Sequence, residues 1–242
     1  MDIKRIETTD STNNWVALHE NEFTEPTLAY CITQTEGRGQ RGNSWESEPG
    51  KNITASLIFQ PTNFPAARQF EISEAIALGL TEFLRTAGVD ARIKWPNDIY
   101  VGDKKICGIL VEHAVTGKNI TRTIAGFGLN LNQTEFLSDA PNPISLKMLT
   151  GKDYDLKTAV EAVAFHLERY LYLLERFEPL HPLFMRLLWR YDRKLHKFHD
   201  KKLDEVIEAR IAEVAPDGVL TLVTGEGEWR NYFFKEVEFI LE

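Results

Sequence analysis

Cysteine is scarce in this 242-residue chain: only Cys31 and Cys107 occur. Two thiols build no disulfide framework, and no Cys/His cluster has the spacing of a structural zinc site, so a reducing, cytoplasmic setting is expected. Long apolar runs are missing as well. Nowhere do eighteen apolar residues follow one another, and the opening Met1 to Ile6 lacks the apolar stretch of a signal peptide, which argues against export and against a membrane partner. Positive charge is in deficit, with 28 Lys and Arg against 36 Asp and Glu, a formal net charge of -8. Binding a nucleic acid through its phosphates needs the opposite balance, so no nucleic-acid partner is expected and any cationic site must be local. The six histidines are scattered, His196 and His199 apart, and form no catalytic or metal constellation. No residue is assigned as a metal ligand.

What is present is an ordinary globular composition, 43% hydrophobic and 26% charged, enough for one large domain or an average domain with a small appendage. A short strand is expected at Ile3 to Glu7. Asp10 to Asn13 offers helix caps ahead of Trp15 and Leu18. Strands follow at Leu28 to Thr33 and Asn52 to Gln60, joined by a glycine-rich loop. Pro65 opens a helix with Phe70, Ala75, Ile76, Gly79, Phe83 and Ala87 on one side, closed by Gly88. Ile99 to Val101, Ile106 to Val115 and Ile120 to Leu131 read as an antiparallel meander. Asp155 caps a long helix, Pro179 and Pro182 end it, and Leu183, Leu187, Leu188 and Tyr191 form a further helical stripe. Short strands at Ala209 to Val214, Val219 to Val223, Trp229 to Phe234 and Val237 to Leu241 read as a small β-barrel. The pattern is an α+β domain over residues 1–196 with a barrel over 197–242.

Two segments carry chemistry. In Gly37-Arg38-Gly39-Gln40-Arg41-Gly42, three glycines free the backbone amides to wrap an anion while two arginines supply bidentate donors. A mobile surface loop with solvated arginines fits the same residues. In Lys94-Trp95-Pro96-Asn97-Asp98, Pro96 holds Trp95 extended at the entrance to a strand. Gly102-Asp103 then suits a two-residue type II′ turn, which sets Tyr100 opposite Lys105 and puts Asp98, Tyr100, Lys105 and Cys107 on one face; a one-residue shift in the turn would put Lys104 there instead. A lysine and a carboxylate side by side are either an ordinary surface pair or the cation that lets two anions meet, as when ATP activates a carboxylate.

These residues resemble the biotin-protein ligases, also called biotin-[acetyl-CoA-carboxylase] ligases, in the form without an N-terminal DNA-binding domain. The resemblance rests on Ser11-Thr12-Asn13-Asn14, on Gln34 with Gly37 to Gly42 and Trp45, on Lys94 to Asp98, on Lys104 to Glu112, and on Gly126-Phe127-Gly128-Leu129-Asn130-Leu131-Asn132. Their order and spacing agree over about the first 150 residues. It implies a mixed, largely antiparallel sheet with helices packed on it, class II synthetase-like and biotin/lipoate ligase-like, followed by an SH3-like barrel. It implies biotin and ATP as substrates, Mg²⁺ as cofactor, a biotinyl-5′-adenylate intermediate, and transfer to one lysine of a biotin carboxyl carrier protein or biotin-carrier domain. Ser11, Thr12, Asn13 and Gln34 would serve the ureido ring; Arg38, Gly39 and Gln40 the carboxylate side; Trp45 and Ile109 or Leu110 the apolar tail; Lys105, at the reacting carboxylate and phosphate, and Gly108 would also contact biotin. Lys105, Arg38, Asp98 and Arg41 would carry the catalysis. Arg41, Lys94, Asn97, Asp98, Asn130, Asn132 and Phe136 would bind ATP, Phe136 replacing a tryptophan that some relatives use to stack on adenine. Gln40 stands where some members have another arginine.

Two rivals remain at this level: a lipoate ligase of related fold, and a transcriptional regulator, for which the ten residues ahead of Ser11 leave no room for a helix-turn-helix domain. An edge strand at Gly117 to Thr123 would let a homodimer form by side-by-side pairing, and suits a monomer equally.

Overall fold

The computed structural model describes residues 1–39, 44–138 and 142–241. Eight strands form the first sheet: β1 (Asp2–Thr9), β2 (Thr27–Gln34), β3 (Ile53–Phe59), the two-residue β4 (Phe64–Pro65), β5 (Ala91–Lys94), β6 (Asp98–Val101), β7 (Lys104–Thr116) and β8 (Asn119–Leu129). Their order is β1-β2-β3-β8-β7-β6-β5, with β4 paired to the start of β8. β1 runs parallel to β2 and the other pairs are antiparallel, the mixed, largely antiparallel sheet expected.

Alternation along the central strands decides what each face does. Ile53, Ala55, Leu57 and Phe59 of β3, with Ala125, Phe127 and Leu129 of β8, point into the main core. There α2 (Gln69–Thr86) packs against α4 (Leu156–Glu175). The residues between them, Thr54, Ser56, Gly126 and Gly128, face the other way. That second face is covered only in part, by α1 (Thr12–Leu18), whose Val16 joins Ile6, Ala29, Cys31, Ile58 and Ile124 in a small separate core. The remainder of the face is free to line a cavity.

Asp155 caps α4 by accepting from the Thr158 amide at 2.9 Å. The helix expected to open at Pro65 starts instead as a single 3₁₀ turn, with α2 regular from Gln69. β5 was not expected, because four residues with two charges give no period. Neither was α3 (Leu146–Thr150), held by Ser145, whose hydroxyl accepts from the Met148 amide. α5 (His181–Leu187) ends before Leu188 because the Trp189 amide donates to Ile93 O at 2.7 Å.

The expected edge at Gly117 to Thr123 is a correction. Asn119 and Ile120 pair with Thr116 and Val115 on one side and with Pro65 and Phe64 on the other, and Thr123 lies between His113 and Phe59. β4 closes this stretch, so it offers no free edge for a second copy. The hairpin register needs a second correction. Gly102 turns at φ 58° and Tyr100 does lie opposite Lys105. A bulge then shifts the ladder, setting Ile99 against Cys107 and Asp98 against Gly108. Cys107 therefore leaves the face of Asp98 and Lys105 for the core, where burial pushes its thiol well above its ordinary value.

The second sheet contains β9 (His196–Asp200), β10 (Glu205–Val214), β11 (Leu220–Thr224), β12 (Trp229–Tyr232) and β13 (Val237–Phe239), all antiparallel in the order β12-β11-β10-β9-β13. This is the SH3-like element expected at the C-terminus. It docks near the start of β6: the buried Trp95 donates its indole N–H to Gly218 O at 2.9 Å and meets Phe234 edge-on, with ring centroids 5.3 Å apart.

Candidate active site

The uncovered part of the sheet opens into a cavity of about 880 Å³. One end is polar and tightly organised. Ser11 occupies the cap position of α1 yet makes no capping bond, so its hydroxyl is left for the cavity that it lines. Gln34 Oε1 accepts from the Thr12 amide at 3.0 Å. Asn13 Nδ2 donates to Glu112 Oε2 at 2.7 Å, while Ser56 Oγ stands 2.6 Å from Asn13 Oδ1 and 2.7 Å from Thr12 Oγ1. An amide oxygen only accepts, so the Ser56 proton goes to Asn13 and Thr12 donates to Ser56. Ser11, Thr12, Asn13 and Ser56 are all buried, and a half-satisfied network here would be costly.

Glycine makes room for this arrangement. A Cβ on Gly126 would stand 2.1 Å from Asn13 Oδ1, and one on Gly128 would stand 2.1 Å from Trp45 Nε1. Both glycines sit in regular strand, opposite Leu110 and Gly108. They are clearances for site side chains, not bulge formers. Trp45 packs against the Gly108 and Gly128 pair, and its backbone amide donates to Gly37 O at 2.9 Å, so the base of the glycine-arginine loop is pinned. Gln40 and Arg41 lie outside the described residues. Arg38 lines the cavity about half exposed, 3.9 Å from Glu112, a distance at which a solvated pair contributes little.

The other end is charged. Lys105 Nζ meets Asp98 Oδ1 at 2.7 Å and stands 5.5 Å from the centre of the Trp45 ring. Lys94 Nζ is 3.9 Å from Asp98 Oδ2 and packs over Tyr100 and Phe239. Burial pushes Lys94 below its ordinary value; Asp98 opposes that shift and Lys105 adds to it. Burial also raises the Tyr100 hydroxyl, and the Asp98 charge adds to this, so Tyr100 stays protonated. Asn130 donates through Nδ2 to Ile144 O at 3.1 Å, while its buried Oδ1 has no partner among the described residues. Trp45 Nε1 likewise has none among the described residues. Both residues line the cavity, and an orphaned buried polar atom there is a place for a ligand atom.

Of the residues named from sequence, Ser11, Thr12, Asn13, Gln34, Arg38, Gly39, Trp45, Lys94, Asn97, Asp98, Lys105, Gly108, Asn130 and Phe136 line this one cavity, as do Ile109 and Leu110. Asn97 also ties β6 to β7 by donating to Ile109 O. Asn132 is a correction. Its amide group is spent on the Tyr154 backbone, donating to the carbonyl at 2.8 Å and accepting from the N–H at 3.0 Å, and it is absent from the lining. Ser56, Glu112, Glu46, Lys235 and Glu238 were not singled out. A signal existed for Ser56, a polar residue in an otherwise apolar strand. None existed for Lys235 and Glu238, which reach the cavity from the second sheet.

A model of the biotin/lipoate A/B protein ligase family matches residues 3–130, more than half of the chain. The chain belongs to this family. Its relatives include the bifunctional ligase/repressor BirA of Bacillus subtilis, 29% identical over 89% of this chain and 67% of that protein. A biotin--[acetyl-CoA-carboxylase] ligase of Paracoccus denitrificans is 30% identical over 64% of this chain and 67% of the relative. The biotin protein ligase of Aquifex aeolicus in complex with biotin and ATP superposes with a TM-score of 0.80 at 22% identity, covering 100% of this chain and 99% of that one. That likeness extends the shared fold through the second sheet.

Proposed function

We propose that the chain is a biotin-protein ligase, which forms biotinyl-5′-adenylate from biotin and ATP and passes the biotinyl group to a lysine of a biotin carboxyl carrier protein or carrier domain. One observation carries this reading: a single cavity joins a buried hydrogen-bonding end, built of Ser11, Thr12, Asn13 and Gln34, to a cationic end built of Lys94 and Lys105. A ureido ring brings its own donors and acceptors, which such an end can satisfy. The dithiolane of lipoate brings none and would leave those groups unpaired.

In the first step a biotin carboxylate oxygen attacks the α-phosphorus and pyrophosphate leaves. Two anions must meet, and Lys105 stands where it screens them, held by Asp98. Lys94, less readily charged because it is buried, takes up the phosphate side, and Trp45 covers the apolar tail. The residues also fit a Mg²⁺ ion, for which Asn130 would supply a protein oxygen beside the ATP phosphates. Such an ion would need few protein oxygens beside the phosphates, and among the described residues Asn130 Oδ1 is a buried acceptor without a partner, whereas Asp98 is committed to the two lysines. When bound, the metal would neutralise phosphate charge. In the second step the acceptor amine attacks the acyl carbon and AMP leaves. Residues 1–196 form the catalytic unit, and 197–242 form a barrel that lends Lys235 and Glu238 to its rim. The test is pyrophosphate release with ATP and either biotin or lipoate. Release with biotin supports the reading; release with lipoate alone sinks it.

A further inference from the structure

The residue after Trp45 does something that neither the cavity walls nor the fold requires. Glu46 accepts from the Leu137 amide at 2.9 Å, from the Ser138 amide at 2.7 Å, and from Gln133 Nε2 at 3.0 Å. Gln133 is itself buried. Its Oε1 accepts from Asn52 Nδ2 at 2.6 Å and from the Glu48 amide at 2.9 Å, while its Nε2 also donates to Glu135 O. Asn52 completes the chain by accepting from the Leu131 amide. Thus a run of side chains stitches residues 46–52 to residues 131–138.

The segment 134–138 has little else to hold it. Thr134, Glu135, Leu137 and Ser138 are exposed, Leu137 by 91%. Phe136 is half-buried and lines the cavity, which Ser138 borders at the end of the segment. Among the described residues, the hydrogen bonds of 134–138 run to Glu46 and Gln133. Burial raises the Glu46 carboxyl, but the bonds from Ser138, Leu137 and Gln133 outweigh it and leave the group below its ordinary value. Glu46 is therefore charged at neutral pH, and its bonds are of the stronger, charge-assisted kind.

We infer that Glu46 is a positioning residue for the nucleotide: it fixes the segment 134–138 so that Phe136 presents its ring to the purine, while its neighbour Trp45 lies on the acyl end of the same cavity. This rests on the ligase reading for the identity of the two substrates. The adjacency of Trp45 and Glu46 means that two halves of the site are set by one dipeptide, Trp45 held at Gly37 O and Glu46 holding the loop opposite.

The test compares wild type with Glu46→Gln, which keeps size but turns an amide N–H toward the Ser138 N–H. Amide hydrogen exchange at Leu137 and Ser138 should speed by tenfold or so, as for the loss of a charged hydrogen bond. ATP affinity by calorimetry and KM for ATP should weaken by about the same factor, with kcat within about threefold and biotin affinity within about twofold. A Phe136→Ala variant should weaken ATP to a similar extent, and the double variant no further. Faster exchange with unchanged ATP affinity would overturn the inference, as would equal losses for ATP and biotin, which would mark Glu46 as a general support. Should wild type bind ATP but release no pyrophosphate with biotin, the ligase reading fails while the ATP and exchange measurements still decide this one.

Discussion

Replacing Gly128 by alanine puts a single methyl where Trp45 now lies. The new Cβ would be 2.1 Å from Nε1 and 2.2 Å from Cε2 of the indole, against the 3.5 to 4.0 Å or so of ordinary carbon contacts. Something must move by more than about an ångström. The strand is poorly placed to yield, because Gly128 is paired to Thr54 on one side and Gly108 on the other. Trp45 borders the open cavity. The ring should therefore swing into the space the ligand uses, and the overlap, worth about 1 to 3 kcal/mol when a packed site absorbs a methyl, should appear in binding more than in folding. Biotin affinity is expected to fall between tenfold and a hundredfold or so, and the ligand-free melting temperature by only a few degrees or less, roughly what 1 kcal/mol gives at this chain length. Calorimetric titration with biotin and a thermal melt without it separate the two. In a Trp45→Ala background the same glycine change should cost little, since the clash has gone. Biotin affinity within twofold of wild type, or a large loss of melting temperature with binding intact, would refute the argument.

Other consequences follow from the same geometry. Lys105→Met should lower kcat for pyrophosphate release by about a hundredfold or more, the scale of losing one cationic or donor group at a developing charge; a change under fivefold or so would remove Lys105 from the chemistry. Because burial lowers Lys94 in the folded chain, ATP binding should weaken as pH rises through a value below 10.5, earlier than for a solvated lysine. Stability should run the other way: the unfolded chain holds more protons in that window, so folding gains as pH rises through it. ATP titrations and urea melts from about pH 7 to about pH 10 read both signs, and Lys94→Met should flatten both. Burial also raises Glu74, against the opposing pull of His181 at 2.6 Å. A raised carboxyl contributes stability below its unfolded value of 4.5 that is lost as pH climbs through the folded one, so Glu74→Gln should match or exceed wild type in urea melts near pH 8, with the gap closing near pH 5.

Much of the fold was legible because its signals are periodic. The long helix α4 and the meander β6 to β8 follow from spacing, caps and a Gly-Asp turn. β5, α3 and β9 were not, since each is short, charged or both, and forms because a neighbour supplies its hydrogen bonds. The bulge that moves Cys107 off the site face has no local mark; Ile106 is simply the extra residue in a ladder that must also bury Ile99 and Cys107. In the site, Ser11 to Asn13, Gln34, Trp45 and Lys105 stood out as a family pattern before any contact was known. Gly126 and Gly128 carry no local mark of their purpose, and only the positions of Asn13 and Trp45 explain them. Asn132 misled for the opposite reason: an amide two residues beyond Asn130 shares its chemistry, but the chain has turned by then and Tyr154 takes both of its groups.

A chain carrying eight net negative charges has to attract two anionic substrates, and the placement of its cations explains how. Lys94, Lys105, Arg38 and Lys235 all line one cavity, so the field a ligand meets there is set by charges a few ångströms away. The acidic excess elsewhere is damped beyond about 8 Å at physiological ionic strength. The carboxylates that share the site are not free to repel. Asp98 is bound to Lys105, Glu46 is surrounded by amide donors, Glu112 takes the Asn13 amide, and Glu238 is paired with Lys201. Each holds a positive or donor group in position while its own charge is spent locally. The balance is therefore a property of the hairpin and of the strands beside it, and not of the chain's overall charge.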